Sequence, residues 1–275
     1  MTQRTWTPML SRSAFAVLAT IGLVACGPGE PTTDAERLAR GRELVQQMSA
    51  RLSAATDLSV ATTEMREVVR GSRGKEQVSQ TGVYTVRRPN RFHAKMTGGL
   101  GLESWYNGKT VTIVAHPHKV FAQAPMLDTI DRTLDALAER YDMGLPMADL
   151  FYASAEQALL ADTTTGGYVG TETVGDTPCF HLAFQDVGVE WELWLPAQGE
   201  PLPKRLKVVQ KRRTGQPAID VTFTAWNLAP QVTDATFVPK VPADYEGIAV
   251  VQRAAAVKNT SPPASEPAAP GSKPK

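Results

Sequence analysis

Cysteine is nearly missing: Cys26 and Cys179 are the only two in 275 residues. Two thiols cannot staple a small domain with several disulfides, and they cannot supply a zinc ribbon or a cysteine-bound cluster. An excess of one charge is missing as well. Lys and Arg number 29 against 28 Asp and Glu, a formal charge of +1, whereas a nucleic-acid-binding surface usually shows a strong basic excess. No apolar run reaches the ~18 residues that a membrane-spanning helix needs. The sequence also contains no Gly-x-Ser-x-Gly elbow, phosphate loop, His-Glu-x-x-His or dinucleotide fingerprint. We read it as a non-enzyme with no catalytic residues, no metal, no cofactor and no nucleic-acid partner. What is present, 42% hydrophobic residues with 21 Gly and 20 Pro, describes a β-rich domain large enough to bury a core.

The N-terminus reads as an address. Residues 1–12 carry Arg4 and Arg12 and no acid, and residues 13–25 (SAFAVLATIGLVA) form a short apolar run. Together they are the n- and h-regions of a secretory signal peptide. The next four residues, Leu23-Val24-Ala25-Cys26, resemble the bacterial lipobox, in which the cysteine is lipidated and becomes the mature N-terminus. The alternative is an ordinary cleavage site beside an incidental cysteine. The resemblance implies a diacylglyceryl thioether on Cys26 and an acyl group on its amine. Each buried CH₂ adds ~0.8 kcal/mol to membrane binding, so three chains would hold the protein in place where one would not. Gly27 in place of Asp favours, by analogy with lipoprotein sorting in enteric bacteria, the periplasmic face of the outer membrane over the inner membrane. The expected organisation is a leader over 1–25, a lipidated tether over 26–33, one domain over 34–252 and a tail over 253–275. That tail is rich in Ala and Pro with no aromatic residue, and is expected to be disordered.

Within the domain, Leu38, Leu44, Val45, Met48 and Leu52 form a helical stripe behind a Thr33 N-cap, predicting a helix over 34–56. From Leu58 the period changes to two, and strands are expected as far as Ala124, with Asn107-Gly108 as a hairpin turn. Ile130, Leu134, Leu137 and Tyr141 then recur at helical spacing. Short helices are expected over 146–151 and 153–161, and strands resume from Gly167 to Trp226. With about ten strands joined mostly by short turns, neighbours should pair antiparallel.

Several stretches carry a family likeness: Tyr106-Asn-Gly-Lys-Thr-Val-Thr-Ile113, Leu134-Asp-Ala-Leu-Ala-Glu-Arg-Tyr141, Leu145-Pro-Met-Ala-Asp-Leu-Phe-Tyr152, Tyr168-Val-Gly-Thr-Glu-Thr-Val174 and Pro178-Cys-Phe-His-Leu-Ala-Phe184. In this order, after a lipobox and a helix, they resemble a family of predicted periplasmic proteins of unknown function. Its fold is similar to that of the bacterial lipoprotein carrier and receptor (LolA/LolB-like), and the likeness spans roughly 57–239. It implies a mainly β, α+β fold. The antiparallel sheet would be unclosed and strongly curved, a half-barrel of about ten strands with helices across its concave face. It also implies acyl chains held between sheet and helices, but no binding residue carries over by motif.

Candidate cleft-lining residues are Trp105, Ile130, Leu134, Leu137, Tyr141 and Trp191; core packing is the preferred reading of the two tryptophans, and a lid over a cleft is preferred to pure core for the helix face. If the face of the 130–141 helix is a lid, Met143-Gly144 is its hinge. Leu100, alone among glycines, either touches an acyl chain or is buried. His116-Pro-His118 as a metal pair, and Cys179 with His181 as a nucleophilic dyad, are weighed against a turn and a small core residue, and the bland reading is preferred for both. The functional expectation is a membrane-anchored periplasmic protein that binds a lipid, a lipoprotein acyl chain or another apolar ligand. The alternative is a protein-interaction or envelope-stress-sensing module.

Overall fold

The structure, a computed structural model, describes residues 29–145 and 147–250; the leader, Cys26 and the 253–275 tail lie outside the described residues. The fold belongs to the unit that begins at Pro31. Helix α1 (Asp34–Ser53) starts in a capping box, with Thr33 Oγ1 accepting from Glu36 N–H and Glu36 Oε2 accepting from Thr33 N–H. These bonds occupy backbone donors that a helix start leaves free. Its stripe of Leu44, Val45, Met48 and Leu52 is buried.

Six strands follow as a meander: β1 (Asp57–Val69), β2 (Lys75–Arg87), β3 (Arg91–Gly98), β4 (Leu102–Tyr106), β5 (Thr110–Ala115) and β6 (Val120–Pro125). The β4–β5 turn forms as the Asn-Gly pair predicts: Asn107 Oδ1 accepts from the N–H groups of Lys109 and Thr110, and Gly108 takes φ 91°. Helix α2 (Ile130–Tyr141), a 3-10 turn (Ala148–Phe151) and helix α3 (Ala155–Leu160) lead into a second meander. That meander comprises β7 (Thr163–Val174), β8 (Thr177–Asp186), β9 (Val189–Pro196), β10 (Arg205–Gln210) and β11 (Ala218–Asn227), and the two-residue β12 (Glu246–Gly247) comes last.

All twelve strands form one sheet in the order β12-β6-β5-β4-β3-β2-β1-β11-β10-β9-β8-β7. The two meanders join at its centre, where β1 pairs antiparallel with β11, and every other pair is antiparallel except β12 with β6. The outermost strands, β12 and β7, do not pair with each other, so the sheet stays open as a half-barrel. The count exceeds the expected ten through β12 and through a meander strand more than the rounded estimate.

One face of the sheet carries the core. Leu58 and Val60 of β1, Tyr84 and Val86 of β2, and Phe92 and Ala94 of β3 pack in a single cluster with Met48 and Leu52 of α1, Ile130 and Leu134 of α2, and Leu159 and Leu160 of α3. Cys179 is fully buried on β8, and its thiol donates to Thr177 O at 3.4 Å. Burial pushes that thiol's pKa up, which keeps it in the unreactive protonated form.

Candidate functional site

The sheet and the helical layer part beyond the end of α2. The helix stops at Tyr141 because its C-cap, Asp142, adopts a left-handed conformation (φ 55°) and turns the chain aside. Strands β3 to β6 are left with part of their inner face uncovered. The result is a cleft of about 420 Å³, within the usual size range of small-molecule sites. Phe92, Met96, Leu102, Val111, Ile113 and Ala122 form the sheet wall, and Leu137, Met143 and Leu145 stand opposite. Small side chains at Ser104, Ala115 and Ala122 leave the space open.

Three large apolar side chains converge on this cleft while remaining in water: Leu100 is 58% exposed, Ile248 48% and Met143 42%. Each is put there by its backbone. Leu100 sits at the β3–β4 turn, where Gly98, Gly99 and Gly101 all take positive φ, a conformation that costs glycine little. Met143 follows the α2 cap. Ile248 arrives on a C-terminal strap that contains β12 and is fixed along β6: Glu246 N–H donates to Lys119 O, and Ile248 N–H to Phe121 O. The strap is also tied by Tyr245 Oη to His116 Nδ1 at 3.0 Å and by Lys119 to Asp244 at 2.9 Å.

The inner end of the cleft is polar. Glu64 on β1 is 1% exposed. Its Oε1 accepts from Tyr84 Oη at 2.5 Å and Thr62 Oγ1 at 3.0 Å, and its Oε2 from Gln80 Nε2 at 2.6 Å. Burial, with the Glu64 carboxylate close by, raises the Tyr84 pKa and keeps its hydroxyl a donor. Gln80 and Arg66 reach the cleft itself.

The six candidate residues fall in three places. Leu137 lines the cleft, and Tyr141 lines a small adjoining void with Leu137, Met143 and Val250. Ile130 and Leu134 instead close against Tyr84, Val86, Phe92 and Phe151 around a space of only about 10 Å³, so most of α2 is core and only its last turn borders the cleft. Trp191, on β9, stacks on Phe184 at 4.4 Å at the margin of the core and lines a separate hollow beside the start of α1, not this cleft. Trp105 lies on the opposite face of the sheet. Its neighbours Ser104 and Tyr106 pair with Ile113 and Val111 on the inner face, which turns Trp105 outward to stack on His93 at 5.1 Å. Sequence reasoning missed Met96, Ile113, Ile248 and the Arg66–Gln80 end. It singled out Leu100, whose isolation among glycines was the signal.

The remaining motifs do other work. His116 Nε2 and His93 Nε2 both contact the Glu103 carboxylate, at 3.0 and 2.9 Å. Burial raises the Glu103 pKa, but these two bonds and Lys95 outweigh it and hold the carboxyl low. Among the described residues no group of three or more His, Cys, Asp or Glu is placed to hold a metal. The His181 nitrogens face Glu192 at 2.9 Å and Glu172 at 3.5 Å, while the Cys179 thiol bonds to backbone. A larger hollow, about 640 Å³, lies between the start of α1 and β7–β9; Leu38, Tyr168, Phe184 and Trp191 line it together with the charged Asp34, Arg37, Glu190 and Glu192. An apolar chain gains little from a surface that polar groups keep hydrated.

Residues 41–251 match the family model described as predicted periplasmic protein (DUF2092). No curated protein matches the chain. Among solved structures, an uncharacterized conserved protein from Thermus thermophilus is similar at 12% identity and a TM-score of 0.45, over 76% of this chain and 98% of that one. The lipoprotein LppX of Mycobacterium tuberculosis is similar at 12% identity and 0.40, over 70% and 97%. MucB in its complex with MucA from Pseudomonas aeruginosa is similar at 16% identity and 0.43, over 76% of this chain and 63% of the other.

Proposed function

The chain belongs to the family of predicted periplasmic proteins designated DUF2092, and from that premise we propose that it is a non-enzymatic periplasmic binding protein whose cleft takes up a lipid, a lipoprotein acyl chain or a similar apolar ligand. The observation that carries this reading is the cleft of about 420 Å³ with Leu100, Met143 and Ile248 exposed around it. Exposed apolar side chains scattered singly are ordinary, but a group of them around an apolar cleft marks a binding surface. Each CH₂ that enters contributes ~0.8 kcal/mol, so a long chain gains several kcal/mol by leaving water.

The test is binding of N-phenyl-1-naphthylamine, a neutral apolar fluorophore, to the full chain purified without detergent. Ile113→Trp fills the cleft from the sheet side. It should weaken binding at least tenfold while shifting the melting temperature by no more than a few degrees. Equal binding by the filled variant would remove the cleft from the reading. Absence of binding to the unaltered chain would leave a protein-interaction module as the better account.

The reading also includes a membrane anchor. Cys26 follows a lipobox-like Leu23-Val24-Ala25, and a three-chain anchor there would hold the domain at the periplasmic face of the outer membrane. Cys26→Ser should abolish fatty-acid labelling and release the protein into the soluble fraction. Persistent labelling would rule Cys26 out as the lipidation site.

A further inference from the structure

The cleft is lined mainly by apolar side chains and carries two charged residues, Arg66 and Asp142. Among the described residues Arg66 is the only cationic one that lines it; the other charged one, Asp142, is paired with Arg213 at 3.0 Å. The Nε of Arg66 is buried and has no hydrogen-bond partner among the described residues. A buried donor left unmade is costly, and more so on a charged group. The residues directly opposite Arg66 on the neighbouring strands are apolar, Val78 on β2 and Ile219 on β11. Glu64, two positions away on the same face, already accepts from Tyr84, Gln80 and Thr62.

Resting on the cleft reading above, we propose that the ligand is a single-chain amphiphile with a carboxylate head, held so that its chain lies along Phe92, Met96 and Ile113 and its carboxylate receives the guanidinium of Arg66. A guanidinium presents paired N–H donors that match a carboxylate and form charge-assisted bonds. The one guanidinium on the lining can neutralise a single negative charge. A phosphate monoester would bring close to two negative charges to a place with a single donor group and a carboxylate nearby.

The experiment compares cis-parinaric acid with its methyl ester, which keeps the chain and removes the charge, on the purified full chain and on Arg66→Met and Arg66→Lys. The acid should bind at least tenfold more tightly than the ester. Arg66→Met should bring the acid to the level of the ester measured on the same variant, with a cooperative thermal unfolding transition reporting that the variant is folded. Arg66→Lys should retain most of the preference. Equal binding of acid and ester by the unaltered chain, or a preference that survives Arg66→Met, would overturn the head-group assignment and leave the cleft standing. Failure of both probes to bind would overturn the cleft reading itself. In competition against the bound acid, oleate should displace it at lower concentration than lysophosphatidic acid; the reverse order would overturn the carboxylate in favour of a phosphate.

Discussion

Gly167→Ala should cost about 4 kcal/mol of stability and lower the melting temperature by roughly 10 °C, although it adds a single methyl group to a strand. Gly167 is where β7 meets α1. It takes φ 142°, a conformation that side-chain-bearing residues rarely adopt, and an added Cβ would lie 2.3 Å from Arg37 O and 2.4 Å from Arg37 C in the helix backbone. Neither obstacle is a flexible side chain, so the helix itself must move. The partner surface is equally tight: a Cβ on Gly41 would stand 2.7 Å from Gly167 Cα. Gly41→Ala gains roughly 1 kcal/mol of helix propensity and should still destabilise, because overpacking costs typically 1–3 kcal/mol. The control lies on the same strand. Gly170 has nothing within 4 Å of an added Cβ and an ordinary φ, so Gly170→Ala should be nearly neutral in thermal and urea unfolding. Equal losses at 167 and 170 would mean that general strand chemistry, and not the approach of α1, sets the cost.

The elements were legible where one face of a segment is buried and the other wet. The stripe of α1, the alternation of β1 to β3 and the Asn-Gly turn each carry a local signal that survives into the structure. The signal fails where the ladder is irregular or the pairing brief. Strand β7 starts at Thr163, before the expected Gly167, and its register against β8 shifts between Thr163 and Thr165 and again between Tyr168 and Gly170. Such bulges break the period of two. Strand β12 is two residues long, and only its pairing with β6 defines it. The site was less legible than the fold. Trp105 and Tyr106 are both large rings on adjacent positions, and a single strand does not say which face the helices cover. Met65 and Arg66 invert the usual expectation: Met65 is 43% exposed, while Arg66 lines the cleft. Reading that inversion requires the register of β1 against both neighbours.

The helix α2 divides core from cleft within one turn, and Leu134→Ala set beside Leu137→Ala should expose the division. Both side chains are buried, at 5% and 6% exposure, so burial alone assigns them the same cost. Their surroundings differ. Leu134 faces Tyr84, Val86, Phe92 and Phe151 across a space of about 10 Å³, and its truncation opens a new cavity among large, fixed side chains. That change should cost about 3–4 kcal/mol. Leu137 already borders the cleft of about 420 Å³, so it has fewer atoms to lose contact with, and its truncation should fall near 2 kcal/mol, roughly the low end for Leu→Ala. The order reverses for N-phenyl-1-naphthylamine. Leu134→Ala should leave its affinity within twofold, while Leu137→Ala removes part of the wall and should change it severalfold. Urea unfolding and probe titration of the same two variants test both halves. Were Leu134→Ala to cost little and weaken the probe instead, the whole of α2 would be a mobile cover and not the fixed margin that its packing describes.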